Sequence, residues 1–246
     1  SLNFCHGVPG STMDAELLEL TPHWAPNLLE SAGAQEPLQA AFHQFEELTA
    51  EHSAPVHIAG FSIGAMVACH IARHRPDRIA RLSLISPAAP LHFGDFLDDM
   101  AGKPDIMMAQ RTPKYLPMLL RLQGWMSRIA PALLIRQLFA ASSASERDLV
   151  SAPDEQRILQ AALRNSYVAH PQNTSALIRH YVSDWEPVSA PPDYPVDLWH
   201  GVEDSWAPLA MSEALAERFG PQAKVKALQG GGHYGALARV SGADVT

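Results

Sequence analysis

Short apolar runs alternate along this chain with segments whose apolar residues recur at helical spacing. Leu2-Asn3-Phe4-Cys5 reads as a short buried strand, broken by the glycines and proline of His6-Gly7-Val8-Pro9-Gly10-Ser11. A second short strand is expected near His23 to Ala25, ahead of Pro26. Within residues 36–52, Leu38, Ala41, Phe42, Phe45 and Leu48 follow the 3.6-residue period of a helix. Pro55-Val56-His57-Ile58-Ala59-Gly60 reads as a strand, and Phe61-Ser62-Ile63-Gly64 leads at once into a helix that Pro76 stops near Arg75. Gly64, Ala65, Ala68 and Ala72 are small enough to let that helix lie close to a sheet. Residues 79–85, Ile79-Ala80-Arg81-Leu82-Ser83-Leu84-Ile85, form another strand. This rhythm of strand, helix, strand predicts an α/β fold: a mostly parallel sheet with helices on both faces.

The pattern changes between residues 90 and 185. No convincing strand occurs there. Apolar helical stretches run instead from Tyr115 to Leu122, Ile129 to Phe139, Ile158 to Val168 and Ser175 to Val182, punctuated by prolines. The strand pattern resumes at Val196 to His200. A helix from about Pro208 to Phe219, a strand from Lys224 to Leu228 and a short helix opening at Gly230-Gly231-Gly232-His233 complete the chain. The expected organisation is a core of residues 1–89 and 186–246, with residues 90–185 inserted as a helical cap.

Composition narrows the function classes. The 246 residues suffice for one α/β domain with a sizeable core. A net charge of −8 and the lack of a basic stripe argue against a nucleic-acid partner. The two cysteines, Cys5 and Cys69, lie in apolar surroundings and read as buried free thiols in a reducing compartment. No apolar run reaches membrane-spanning length and no signal-peptide pattern precedes the first strand, so the expected location is cytoplasmic. His70 and His74, among Arg73 and Arg75, read as solvent-exposed residues one helical turn apart. Neither a carboxylate nor a third ligand stands with them, so no metal is expected. Oligomeric state stays open.

Gly60-Phe61-Ser62-Ile63-Gly64 fits G-x-S-x-G at a strand-to-helix junction. Two glycines permit a sharp turn that lifts the serine hydroxyl to the carboxyl end of the sheet, at the positive end of a helix. The competing reading is a helix N-cap serine between two packing glycines. A serine nucleophile needs a base. Of twelve histidines, His233 follows three glycines after the last strand, a loop able to carry an imidazole over the sheet edge. His6 and His200 precede glycines at strand ends and read as structural rings bonding loop backbone. The acid that orients the base is expected after a strand. His200-Gly201-Val202-Glu203-Asp204 supplies Asp204, with Glu203 beside it and Asp184 and Asp95 as remoter alternatives. Charge developing on a substrate carbonyl would be received by the backbone N–H groups of Ile63 and Val8. Pro9 lacks an N–H.

Taken together, the His6-Gly7 turn, the elbow at residues 60–64, the His-Gly-x-x-Asp run at 200–204 and Gly232-His233 resemble the α/β-hydrolase superfamily in content and in order. The likeness covers nearly the whole chain. It implies a parallel sheet with a helical cap after the strand ending near Ser86, and a Ser62, Asp204, His233 triad supported by His6, Gly7, Gly60, Phe61 and Gly64. Two departures stand out. The family usually has an antiparallel strand pair ahead of the first strand seen here, which this chain either lacks or has had trimmed, and the stretch between the oxyanion turn and the elbow is short. Relatives with dehalogenase or epoxide-hydrolase activity carry Asp at the elbow, where this chain has Ser62. The resemblance therefore implies a cofactor-free serine hydrolase of the carboxylesterase type, acting on a small-molecule ester or related acyl compound through an acyl-enzyme. Alternatives on the same fold are a carbon–carbon bond hydrolase, a cofactor-free peroxidase and a slow-turnover ligand receptor. The inserted helices carry Met107, Met108, Leu116, Met118, Leu119, Leu120, Trp125, Met126, Leu133, Leu134, Ile135, Leu138 and Phe139. Much of this is expected to pack the cap on the sheet domain, the preferred reading for any one residue, and the surplus, flexible methionines included, points to an apolar pocket.

Overall fold

A computed structural model describes residues 2–18, 21–31, 35–51 and 54–240. Strands β1 (Leu2–Cys5), β2 (Val56–Phe61), β3 (Ile79–Ile85), β4 (Val196–Gly201) and β5 (Ala223–Leu228) form one sheet in the order β1-β2-β3-β4-β5. All four pairings are parallel. The inner strand β4 is buried at every position. Parallel strands covered on both faces need continuous apolar sequence, which Val196-Asp197-Leu198-Trp199-His200 mostly supplies. Its one charge, Asp197, is paired with Arg81 and Lys226 on the neighbouring strands. Edge strand β5 alternates exposed and half-buried residues, and its lysines 224 and 226 discourage further pairing.

The helices α1 (Pro37–Thr49) and α2 (Gly64–His74) follow β1 and β2. The predicted helix over 36–52 ends at Thr49, and residue 52 lies outside the described residues. The small residues of α2 are buried as the sequence suggests, and the helix packs on the sheet. His70 departs from its reading as solvent-exposed. The ring of Phe42 on α1 packs on both His70 and His74, whose own rings lie 4.3 Å apart, and burial pushes His70 down to about 4. The strand expected at His23 to Ala25 reduces to a single bridge, Asn3 to Trp24. Pro22 and Pro26 flank it and offer no N–H, so the ladder cannot extend.

Between β3 and β4 the described chain forms helices and no strand: α3 (Lys103–Arg111), α4 (Leu116–Ile129), α5 (Pro131–Leu138), α6 (Ala144–Ser151), α7 (Pro153–Leu163), a π-helical turn (Arg164–Ala169) and α8 (Pro171–Tyr181). Most start on proline at the first or second position, where a missing N–H leaves no bond unmade. Helices α9 (Ala210–Phe219) and α10 (His233–Arg239) follow β4 and β5. Cys5 and Cys69 are both buried free thiols.

Candidate active site

The site begins with a backbone conflict resolved by glycine. At the end of β2 the chain turns into α2 through Ser62, which holds φ at +55°, a left-handed conformation costly for a residue with a side chain. A Cβ on Gly60 would lie 2.6 Å from the Gly64 oxygen and from the Ala65 Cα. A Cβ on Gly64 would lie 2.2 Å from the His6 oxygen and 2.3 Å from that of Cys5. The two glycines therefore serve different contacts: Gly60 lets the turn close on itself, and Gly64 lets β1 approach the elbow. Ser62 N donates to Ile85 O at 3.0 Å, and Ala88 N donates back to Ser62 O at 3.2 Å, pinning the turn to the end of β3. The Ser62 side chain does not cap α2.

His233, first residue of α10, lies beside this turn. Its Nδ1 pairs with Asp204 Oδ2 at 2.7 Å, with both residues buried. The other carboxylate oxygen, Oδ1, accepts the N–H groups of Trp206 at 2.8 Å and Ala207 at 3.0 Å, so a turn of its own loop fixes Asp204. Burial alone would raise the Asp204 carboxyl. The rings of His233 and His200 and these N–H groups outweigh it and hold the carboxyl below the usual range. The His233 backbone oxygen accepts the Ser86 hydroxyl at 3.1 Å. The Phe61 ring packs against the imidazole at 4.9 Å between centroids. With Nδ1 committed to Asp204, Nε2 is the ring nitrogen left for exchange. Among the described residues no hydrogen bond joins it to the Ser62 hydroxyl, a contact that commonly tightens only when substrate binds. Ser62 and His233 line the same cavity.

Of the oxyanion candidates, Val8 lines this cavity and a neighbouring one, and Ile63 lines only the neighbour. Neither Val8 N nor Ile63 N has a hydrogen-bond partner among the described residues. Gly7 N, by contrast, donates to Asp14 Oδ2 at 3.3 Å, and Ser11 N to Asp14 Oδ1 at 3.3 Å. Asp14 thus shapes the turn that presents Val8. Burial pushes its carboxyl up to about 8. His6 supports the same turn. Its Nε2 accepts the Leu28 N–H at 2.9 Å and its Nδ1 donates to Gly7 O at 2.7 Å, while burial lowers it to about 4 and keeps the ring neutral. His200 bonds Ala207 O and the Ser212 hydroxyl, each at 2.7 Å, and is likewise pushed down by burial. The other acids stand apart. Glu203 is exposed, and Asp184 is nearly fully exposed beside His92.

Glu146 on α6 is the residue sequence reasoning missed. It is buried, and its carboxylate accepts Tyr234 N at 2.7 Å and Gly235 N at 3.0 Å, the N–H groups next to His233. Burial raises its carboxyl above the usual range. The sequence signal points elsewhere: Ser143-Ala144-Ser145-Glu146 is a capping-box pattern, which would turn the carboxylate back on its own helix. Ser143 does accept Glu146 N at 3.3 Å, but the carboxylate crosses to α10.

The apolar pocket is lined by Ile135, Leu138, Phe139, Leu159 and Leu163. The expectation of a methionine wall is not met. Met107, Met108, Met118 and Met126 do not line this cavity, and Met118, Trp125 and Leu133 are exposed. Most of the remaining apolar surplus packs helix on helix, as with Leu116, Leu120 and Leu134. A second cavity shares Val8, Pro9, Ser62 and Trp206 with the first, so Ser62 stands where the two meet. There the wall takes Met100 together with Asp105, Tyr167 and Tyr181.

Comparison with known proteins agrees with this architecture. The chain is 29% identical over 197 residues to a pimeloyl-[acyl-carrier protein] methyl ester esterase of Aromatoleum aromaticum, covering 72% of this chain and 66% of that protein, just short of two thirds of its length. A thermophilic esterase from Thermogutta terrifontis superposes with a TM-score of 0.62 at 18% identity, covering 97% of this chain and 84% of the other. MenH from S. aureus superposes with a TM-score of 0.62 at 16% identity, covering 97% and 88%. At such identities the superpositions establish the fold. A family model described as the alpha/beta hydrolase family matches residues 4–241, and the chain belongs to that family.

Proposed function

We propose that this protein is a serine hydrolase that cleaves a carboxylic ester or related acyl bond, with an apolar group on the acyl or alcohol side. The observation that carries the reading is the buried 2.7 Å pair of Asp204 and His233 beside a serine held at φ +55° in the same cavity. A strained, half-buried hydroxyl sharing a cavity with an oriented imidazole is the constellation acyl transfer requires. In the proposed cycle His233 Nε2 takes the Ser62 proton as Oγ attacks the substrate carbonyl. Asp204 accepts the Nδ1–H and stabilises the imidazolium. The N–H groups of Val8 and Ile63 receive the developing oxyanion. His233 then protonates the leaving alcohol, and water repeats the sequence on the acyl-enzyme. Residues 90–185 act as the cap, its α5 and α7 side chains walling the pocket off from water.

The Aromatoleum relative is named for a methyl ester, which fits an apolar acyl chain bound in this pocket with a small leaving group facing the second cavity. Kinetics on p-nitrophenyl esters from acetyl to decanoyl test the proposal. It expects kcat/KM to rise with chain length over the first several carbons, by about fourfold per buried methylene. Activity confined to acetyl or to charged acyl groups would overturn the apolar assignment.

A further inference from the structure

The described residues contain eight large apolar side chains that stand exposed, and six of them lie together: Tyr115, Met118, Leu122, Trp125, Ile129 and Leu133, between 41 and 65% exposed. Five follow a 3-4-3-4 spacing, with Tyr115 capping α4 and the other four on one stripe of that helix, over about 21 Å in all. Leu133 continues it onto α5. Buried Leu116, Leu120 and Gly124 form the opposite face of α4, so the stripe is not misplaced core.

The charge around the stripe is as uneven as its hydrophobicity. Residues 106–145 hold Arg111, Lys114, Arg121, Arg128 and Arg136 and none of the chain's 26 Asp and Glu, in a protein of net charge −8. All five cations are exposed, and among the described residues none is in an ion pair. Arg121 and Arg128, two helical turns apart, are i±3 or i±4 neighbours of Trp125 and flank the stripe on one side. The absence of a basic stripe inferred from composition therefore does not hold locally: the acidic remainder of the chain masks one.

We infer that the α4–α5 face is a docking surface for an anionic lipid interface. A convex apolar stripe edged by cations matches such a surface, where apolar side chains enter the acyl boundary and arginines meet anionic headgroups. A second copy seated on the same face would set five unpaired cations against five others with no carboxylate between them. The acidic remainder of the chain is repelled by the lipid, which fixes the orientation. In that orientation Leu133 meets the lipid while Ile135, Leu138 and Phe139 of the same short segment line the active-site cavity. The cavity wall is then about one helix thickness from the apolar phase.

Vesicle co-sedimentation of the full chain tests the inference, using phosphatidylcholine vesicles with and without about 30% phosphatidylglycerol. The expected result is binding to the anionic vesicles, a blue shift of Trp125 emission absent from Trp125→Ser, and release at about 0.5 M salt. Arg121→Gln with Arg128→Gln should weaken partitioning by about 25-fold, roughly fivefold per arginine. Leu122→Ser with Ile129→Ser should abolish it. Both double variants alter exposed side chains only, so hydrolysis of a water-soluble ester should stay within twofold of wild type, showing that they fold. The inference fails if the folded protein ignores anionic vesicles. It also fails if light scattering shows a dimer that Leu122→Ser with Ile129→Ser dissolves, or if an acidic protein binds the face while vesicles do not.

Discussion

Replacing Glu146 with alanine removes the acceptor of two N–H groups, at 2.7 and 3.0 Å, from the helix that begins at His233. Each hydrogen bond to a charged group contributes about 1.5–3 kcal/mol net, giving roughly 3–6 kcal/mol for the pair. Burial of the carboxylate opposes this, as its raised pKa shows. If it offsets about half, roughly 2–3 kcal/mol is lost, and at about 2–4 °C per kcal/mol Tm falls by about 5–10 °C. Glu146→Gln sheds the buried charge but keeps an acceptor for only one of the two N–H groups, its amide NH2 facing the other, so it should recover only part of the loss. The two proteins should also differ in pH response. A carboxyl raised in the folded state favours its protonated form there. Its contribution is complete below the ordinary 4.5 and is lost as pH rises through the folded value. Wild type should therefore lose Tm relative to Glu146→Gln as pH rises above the ordinary 4.5. Activity provides the second readout. A displacement of His233 on the order of 1 Å lowers kcat by up to about 100-fold. The assays are thermal melts across pH and steady-state kinetics on a soluble ester. Glu146→Ala with Tm within about 1 °C and kcat within about twofold of wild type would refute the reasoning.

Other outcomes follow from the same geometry. Asp204→Asn, which keeps the shape but loses the carboxylate partner of Nδ1, should lower kcat by about four orders of magnitude while circular dichroism is unchanged. Because the Asp204 pKa is depressed in the fold, its contribution to stability is present above the ordinary 3.8 and vanishes as pH falls through the folded value. Acid melts of Asp204→Asn should accordingly be less steep than those of wild type. Asp14 has the opposite sign: raised to about 8, it supports the fold below 3.8 and loses that support as pH climbs through about 8. Asp14→Asn, which keeps an acceptor oxygen for only one of the Gly7 and Ser11 N–H groups, should flatten the Tm profile between those limits. An unchanged slope would remove Asp14 as its source.

The parts legible in the sequence are those set by local sterics and periodicity. Strand β3 occupies residues 79–85 as its apolar run suggests, and Pro76 ends the preceding helix near its expected place. The elbow shows itself because a left-handed serine needs glycine neighbours, a requirement that can be read within five residues. Asp204 and His233 are legible for a similar reason, since each directly follows a strand and one helix and one strand separate them. Glu146 and Asp14 are hidden because their partners are chosen by packing. Glu146 meets Tyr234 across 88 residues, and its local pattern advertises a different bond. Of the exposed stripe on α4, Met118 and Trp125 count among the apolar surplus expected to supply a pocket, and neither lines the apolar cavity. Periodicity marks an apolar face but does not say whether another helix covers it.

The claim on which the account depends is that Ser62 is a nucleophile activated by His233. Treating the folded protein with a fluorophosphonate and mapping the adduct by mass spectrometry tests it directly. The account predicts one adduct per chain, on Ser62, formed at a rate that collapses in His233→Ala and absent from Ser62→Ala. Labelling at another residue, or full hydrolytic activity in Ser62→Ala, would contradict it.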